Sequence, residues 1–457
     1  MAQDDRMEGR FNIRRRGEFM NDVKKSGGRS RRSLLKAGAA AAGFAAQVNR
    51  ATAQQTGTMA GRKFRAFVRQ GAGASVEELK MLPLDEDRVV VRTHASQCCY
   101  TLATEVLGNA QINPARIPGH GGVGIVEAVG SRVRRVQVGD LVVVADGPYC
   151  GQCYMCLHGR ADRCQMSSGG GGNPVVPVAQ MPDGTPVIQE NNEGGFGELM
   201  IPYEWYCMPV FNKVSAVELS VMACTGACGL GAVFGVAPVE PGSDVVVLGC
   251  GPLGLSAIQG ARIKGASQII AVEPIRERRE LALKLGATMA FDPNAEGQNL
   301  VSKIRDLCKG PTGRKFAGGR DQILTRGNVG ADYVIEAVGG DLFPPKEPGP
   351  DPTGVLPLQQ AWDLCSAAGH VTTTAVGQKG NFTLTAAGWS NGSKNHHPGT
   401  HNGLSNLRDI PRFARLIETG QFNAKALATS TYPLDRMKDA YQQVADRTTI
   451  ASVIVFT

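Results

Sequence analysis

Apolar and polar residues alternate over residues 62–70 and 88–95, which predicts two strands. The run Val-Gln-Val-Gly-Asp-Leu-Val-Val-Val at 136–144 predicts a turn feeding a third. Gly and Val dominate this part and no long helical period interrupts it, so it predicts a β-rich lobe. Residues 165–197 are rich in Gly, Pro and Asn and predict loop with short hairpins. From about Gly226 the pattern changes. An apolar run at 245–248 predicts a buried strand. Residues 252–264 predict a helix stopped by Gly265, 268–272 a strand, and 276–285 a helix stopped by Gly286. Residues 331–339 and 369–377 continue the alternation, so this half predicts an α/β fold with a doubly wound parallel sheet. Residues 309–329 and the proline-rich stretch 340–354 interrupt it and are expected to be surface loops. Residues 412–420 and 434–447 predict two helices, and 452–456 a closing strand.

At 457 residues the chain is long enough for two folded lobes. Its formal charge of +8 suggests nucleic acid at first sight, but residues 1–53 hold twelve Lys/Arg against five Asp/Glu and carry +7 of it. The remainder is nearly neutral and shows no basic cluster, so no nucleic-acid partner is expected. No run approaches the ~20 apolar residues of a membrane span. The basic N-terminus has its own reading. Ser30-Arg-Arg-Ser-Leu-Leu-Lys36 precedes an alanine-rich stretch to Ala46 and the small-residue site Ala51-Thr-Ala53. This is the layout of a secretory signal and is similar to a twin-arginine signal. A periplasmic protein beginning at Gln54 is expected.

Chemistry is most visible at Cys150, Cys153, Cys156 and Cys164. Three thiols at every third residue, with a fourth one short loop later, can close around a tetrahedral Zn²⁺. Four thiolates leave no exchangeable position, so such a zinc is structural. Two disulfides or an iron–sulfur cluster are the alternatives. A second motif, Gly249-Cys-Gly251-Pro-Leu253-Gly254, lies between a predicted strand and a predicted helix. Its glycines suit a tight turn, close approach of a pyrophosphate and close helix–sheet packing, while the helix N-terminus offers N–H groups to the phosphates. Glu273 follows at the end of the next strand, where an acid accepts from ribose hydroxyls and repels a 2′-phosphate. That favours NAD. Gly249, Gly251, Leu253, Gly254, Glu273 and Arg278 are the candidate cofactor-binding residues.

These motifs occur in register with Ala95-Ser-Gln-Cys-Cys-Tyr-Thr101, with Ile117-Pro-Gly-His-Gly121 and with Ala223-Cys-Thr-Gly226. From about Arg65 onward the chain resembles the zinc-dependent medium-chain alcohol dehydrogenases. The resemblance implies a GroES-like β-rich catalytic domain (62–226, with the cysteine lobe at 150–164), a Rossmann coenzyme domain (227–405) and a C-terminal return (406–457). It implies a catalytic zinc on Cys99, His120 and Cys224, with Cys98 competing for the first place by adjacency. Thr101 falls on the hydroxyl that relays the substrate proton. Two zinc ions and NAD are the cofactors it implies, with a small alcohol or carbonyl substrate and a homo-oligomer. Export adds the expectation that NAD is carried tightly bound and that electrons pass to an external acceptor.

Four positions depart from the family pattern. Gly121 stands where a Glu usually follows the ligand histidine, and Leu102 where an Asp usually follows the relay hydroxyl. Tyr100 stands for a His or Arg, and Ala451 for an Arg, that meet the pyrophosphate. Lost acids around a metal weaken its grip unless a carboxylate arrives from elsewhere. Two alternative functions therefore stay open: a catalytically weak zinc- and NAD-binding module, and a zinc-independent reductase of the same superfamily. Trp389, His396, His397 and His401 could line a pocket, though a solvated His-rich turn is the simpler expectation.

Overall fold

The computed structural model describes residues 59–167, 171–308, 330–399 and 403–457. The signal-like segment 1–53, the stretch 309–329 and His401 lie outside them. Side-chain alternation explains how the first lobe builds two cores at once. In the strand Lys63–Gly71, Phe64, Ala66 and Val68 point into one apolar cluster, while Phe67 points into another. This strand closes a barrel with Gly73–Met81, Pro177–Gln180, Pro186–Gln189 and Ile112–Ile117. A second sheet runs in the order Cys207–Pro209, Leu141–Ala145, Gly121–Val129, Val89–Gln97, Ala451–Val455 and Ala428–Pro433. The closing strand Ala451–Val455 pairs antiparallel with Val89–Gln97, so the C-terminus is stitched back into the first lobe.

The third sheet has six parallel strands, ordered Met289–Phe291, Gln268–Val272, Asp244–Leu248, Ala331–Glu336, Cys365–Thr373 and Asn395–Pro398. Asp244–Leu248, first in the chain, sits in the middle and is buried throughout. Val245 and Val247 join the cluster on one face, Val246 and Leu248 the cluster on the other. Helices cover both faces of such a doubly wound sheet, which is why this strand reads as an unbroken apolar run. Burying each of these side chains is worth about 1.5–3 kcal/mol. Strand order reverses beside Asp244–Leu248, and the crevice at the carboxyl ends there is where ligands bind in such folds.

One sequence expectation is corrected and one is extended. Trp389, His396 and His397 do not share a simple turn: Ala386–Asn391 is helical and Asn395–Pro398 is the edge strand, with His397 Nε2 2.9 Å from His370 Nδ1. Residues 340–354 form a surface loop as expected, with Lys346, Glu347 and Pro348 exposed, but the loop also reaches the first lobe. The amides of Leu342 and Phe343 donate to the Tyr100 hydroxyl at 2.9 and 3.3 Å, and Phe343 packs with the apolar cluster of the first lobe. Pro-rich composition identified a loop correctly but carried no information about the surface it crosses.

Candidate metal and nucleotide site

The cysteine lobe is built locally. Cys150, Cys153, Cys156 and Cys164 bring four sulfur atoms within 4.8 Å of one another. Backbone N–H groups of Cys153 and Gln165 donate to the sulfurs of Cys150 and Cys153 at 3.3 and 3.4 Å. Partial burial opposes ionisation of Cys153, but the surrounding amides outweigh it and bring its pKa down to about 6. Burial pushes Cys164 up. Among the described residues no disulfide forms, so the lobe offers four thiol ligands.

A second group is assembled over long range. Cys99 follows the strand Val89–Gln97, His120 precedes Gly121–Val129, and Cys224 precedes the helix Thr225–Phe234. Cys224 Sγ lies 3.8 Å from Cys99 Sγ and 3.5 Å from His120 Nδ1. Zn–S bonds of about 2.3 Å and Zn–N bonds of about 2.0–2.1 Å at tetrahedral angles require separations of about 3.8 and 3.6 Å. The three side chains therefore fit one zinc with a fourth position to spare. A hydrogen bond from Cys224 holds the Cys99 thiol well below its ordinary value, against burial. Cys224 is pushed up by its contacts with Cys228 and Cys99 and by burial. Burial disfavours the charged form of His120, but Asp146 and Cys99 together raise it well above the usual value. Thr101 Oγ1 stands 3.2 Å from Cys99 Sγ. Cys98 is buried in the apolar cluster with Leu102 and Tyr441, and burial raises its thiol pKa strongly.

All of this opens into one cleft of about 320 Å³ between the lobes, lined by Cys99, Thr101, His120 and Cys224 at one end and by Gly249, Gly251, Leu253, Glu273 and Arg278 at the other. The helix Pro252–Ile263 starts at the cleft with Gly251 as its cap. Gly254 is required by close approach, since a Cβ there would stand 1.8 Å from the Gly249 carbonyl oxygen. Glu273 accepts from the amides of Cys250 at 2.7 Å and Ile275 at 3.1 Å, which fixes its carboxylate at the strand end. Arg278 does not point freely into solvent. It donates to the carbonyls of Arg447 and Thr449 at 3.1 and 2.9 Å. Trp389, His396 and His397 are not among the lining residues.

Residues 85–211 match the alcohol dehydrogenase GroES-like domain, and residues 252–345 match the zinc-binding dehydrogenase domain. Alcohol dehydrogenase B of Mycobacterium tuberculosis is 29% identical over 400 residues, covering 84% of this chain and 95% of the relative. The chain belongs to the zinc-dependent medium-chain alcohol dehydrogenase family. The NDMA-dependent alcohol dehydrogenase of Amycolatopsis methanolica is 27% identical over 405 residues, covering 86% of this chain and 99% of that one. The solved benzyl alcohol dehydrogenase of Acinetobacter calcoaceticus superposes with a TM-score of 0.70 at 25% identity, covering 87% and 100% of the two chains. A zinc-binding dehydrogenase of Burkholderia ambifaria gives 0.72 at 25% identity, covering 87% and 99%. The dehydrogenase is thus an alcohol oxidoreductase that acts on small molecules, and its matched domains indicate zinc and a nucleotide cofactor. Among the described residues no single helix is long and apolar enough to cross a membrane.

The structure accounts for the four departures from the family pattern. Gly121 has φ +70°, and a Cβ there would stand 2.0 Å from the Val144 carbonyl oxygen, so this dehydrogenase has no room for a Glu. Leu102 is buried against Val106 and Tyr441, an apolar site that would strand a carboxylate. Tyr100 turns its hydroxyl to the 340–354 loop, and Arg447, pairing with Asp341, lies 5.7 Å from its ring. Ala451 is buried in the closing strand. Two acids that the motifs did not single out stand near His120. Asp146 Oδ2 lies 3.9 Å from His120 Nδ1. Glu193 is 1% exposed, and its Oε2 has no hydrogen-bond partner among the described residues. Burial, reinforced by Asp146, raises the Glu193 pKa well above the carboxylate range. No short-range signal marks either acid, because each reaches the site through a contact distant in sequence.

Proposed function

We propose that this protein oxidises a small alcohol, or reduces the matching carbonyl, using zinc on Cys99, His120 and Cys224 and NAD in the Gly249–Glu273 cleft. The observation that carries the reading is that the three-ligand group and the glycine turn open into one cleft. Zinc would stabilise the alkoxide and NAD would accept the hydride. Thr101 lines the cleft beside Cys99 and is positioned to receive the hydroxyl proton. Glu273 supports NAD over its phosphorylated form, because its fixed carboxylate would repel a 2′-phosphate. Arg278, committed to two carbonyls, is poorly placed to compensate. The Cys150–Cys164 lobe takes the second zinc as a structural ion.

The nucleotide is held tightly. Loop 340–354 supplies Asp341, Gly349, Pro350 and Asp351 to the cleft lining, and it fastens to the first lobe through Tyr100, through Arg447 with Asp341, and through Lys346 with Asp446 at 3.1 Å. Release of the nucleotide would have to break these contacts. Tight binding fits export by the twin-arginine route, since a folded protein could carry its nucleotide into the periplasm and pass electrons to an external acceptor. A relative named NDMA-dependent is a precedent for activity tied to an added compound.

Zinc and nucleotide per chain test the reading together. Two zinc ions, nucleotide released only on denaturation, and reduction of an added acceptor by alcohols are the expected results. One zinc ion, no nucleotide and no hydride transfer would leave the protein a binding module.

A further inference from the structure

We propose that Asp146 is a fourth protein ligand of the buried zinc, closing the Cys99–His120–Cys224 site until substrate displaces it. The inference rests on the zinc reading above and adds a residue that the three-ligand pattern does not contain.

Geometry comes first. Asp146 Oδ2 lies 3.8 Å from Cys224 Sγ and 3.9 Å from His120 Nδ1. A carboxylate oxygen bound at about 2.0–2.2 Å in a tetrahedral site would stand about 3.6 Å from Cys224 Sγ and about 3.4 Å from His120 Nδ1. Asp146 stands at the edge of the group whose ligand atoms lie within 4.8 Å of one another, so a side-chain rotation that also carries Oδ2 toward Cys99 is needed to bring it into place. Without metal the Cys224 thiol donates to the carboxylate across their long contact. At 3.9 Å the carboxylate is too far to orient His120 by a hydrogen bond.

The surroundings agree. The Asp146 amide donates to the Ala223 carbonyl at 2.7 Å, tying this residue to the one before Cys224. Asn406 Nδ2 donates to the Gly147 carbonyl at 2.8 Å, fixing the chain on the other side. Backbone placement is therefore set while the side chain stays adjustable. Among the described residues its side chain forms no ion pair with Lys or Arg. It lines the cleft and is about a quarter exposed, so an incoming alcohol can reach the position it occupies. Two thiolates already balance the charge of Zn²⁺, which makes the carboxylate the ligand most easily exchanged. Gly121 excludes an acid from the usual side of the histidine.

The test uses the whole protein with cobalt in the buried site and zinc in the lobe, comparing the parent with Asp146→Asn and Asp146→Ala. In both variants the buried metal should pass to a chelator at least about tenfold faster, the loss seen when groups supporting a metal are removed. Imidazole, used as a probe, should bind the cobalt at least about tenfold more tightly, read as a shift of its visible bands. Asp146→Glu should recover part of the parent behaviour. Lobe zinc and the thermal midpoint establish that each variant is folded. Unchanged metal release with unchanged bands would overturn the proposal while leaving the dehydrogenase reading intact, as would lost turnover with unchanged metal retention. A parent protein unable to hold metal at Cys99, His120 and Cys224 would overturn both.

Discussion

The two cysteine centres are built in opposite ways. The lobe takes its four sulfurs from one stretch of fifteen residues, three of them partly exposed. The buried centre takes three ligands from the ends of separate elements, with 104 residues between His120 and Cys224 in sequence. In the lobe, backbone amides point at the sulfurs and stabilise thiolates before metal arrives. In the buried centre the thiols lean on each other, and Cys224 is pushed up while Cys99 is held down. A local centre can be lost with only its own loop. A centre assembled over long range ties the cleft together and shares its space with substrate, so it serves exchange.

The sharpest way to break this comparison is to remove one ligand from each. Cys99→Ser should reduce zinc from two ions to one and lower turnover at least about a thousandfold, since the metal contributes several kcal/mol of charge stabilisation and each 1.4 kcal/mol is tenfold. Cys164→Ser should also cost one zinc, but the damage should appear as proteolysis within 150–167 with a much smaller loss of turnover. Elemental analysis, limited proteolysis and steady-state rates on the same preparations check both. Equal turnover losses would end the division of labour.

A smaller effect probes why the buried centre departs from its relatives. Restoring the family acid with Gly121→Glu should destabilise the dehydrogenase by about 3 kcal/mol or more, through the left-handed backbone and the collision with the Val144 carbonyl. Denaturant unfolding measures it. A neutral or stabilising outcome would mean that the strand Leu141–Ala145 yields easily.

How much of each centre the sequence reveals follows from the same contrast. Tetrahedral coordination writes itself into spacing when the ligands are neighbours, so the lobe is legible from four cysteines alone. Cys99, His120 and Cys224 carry no such spacing and become legible only through the family motifs around them. The parallel sheet is legible because its unbroken apolar strands alternate with helices closed by Gly265 and Gly286. Asp146 and Glu193 are not legible, since one follows an ordinary apolar strand and the other sits in a Gly-Asn-rich turn. What places them is packing between Leu141–Ala145, the 190–195 turn and the cap of Thr225–Phe234. What the 340–354 loop touches is hidden for the same reason, as its contacts with Tyr100 and Asp446 span about 240 and 100 residues.

The smallest effect belongs to Glu193. Its folded-state pKa is raised above the unfolded value near 4.5, so between the two values the folded protein holds a proton that the unfolded chain has released. Stability from this group is complete below the unfolded value and is lost as pH rises through the folded one. Glu193→Gln removes that titration and should flatten the decline in unfolding free energy as pH rises above the unfolded value, measured at pH 5 and pH 8. Denaturant titrations at both pH values, on parent and variant, read the slope. The buried acid of the lobe, Asp162, is paired with Arg160 at 2.9 Å, so Cys164→Ser should leave the slope in place. If Glu193→Gln also leaves it unchanged, another group carries the proton, and the buried centre is less distinct from the lobe than its burial implies.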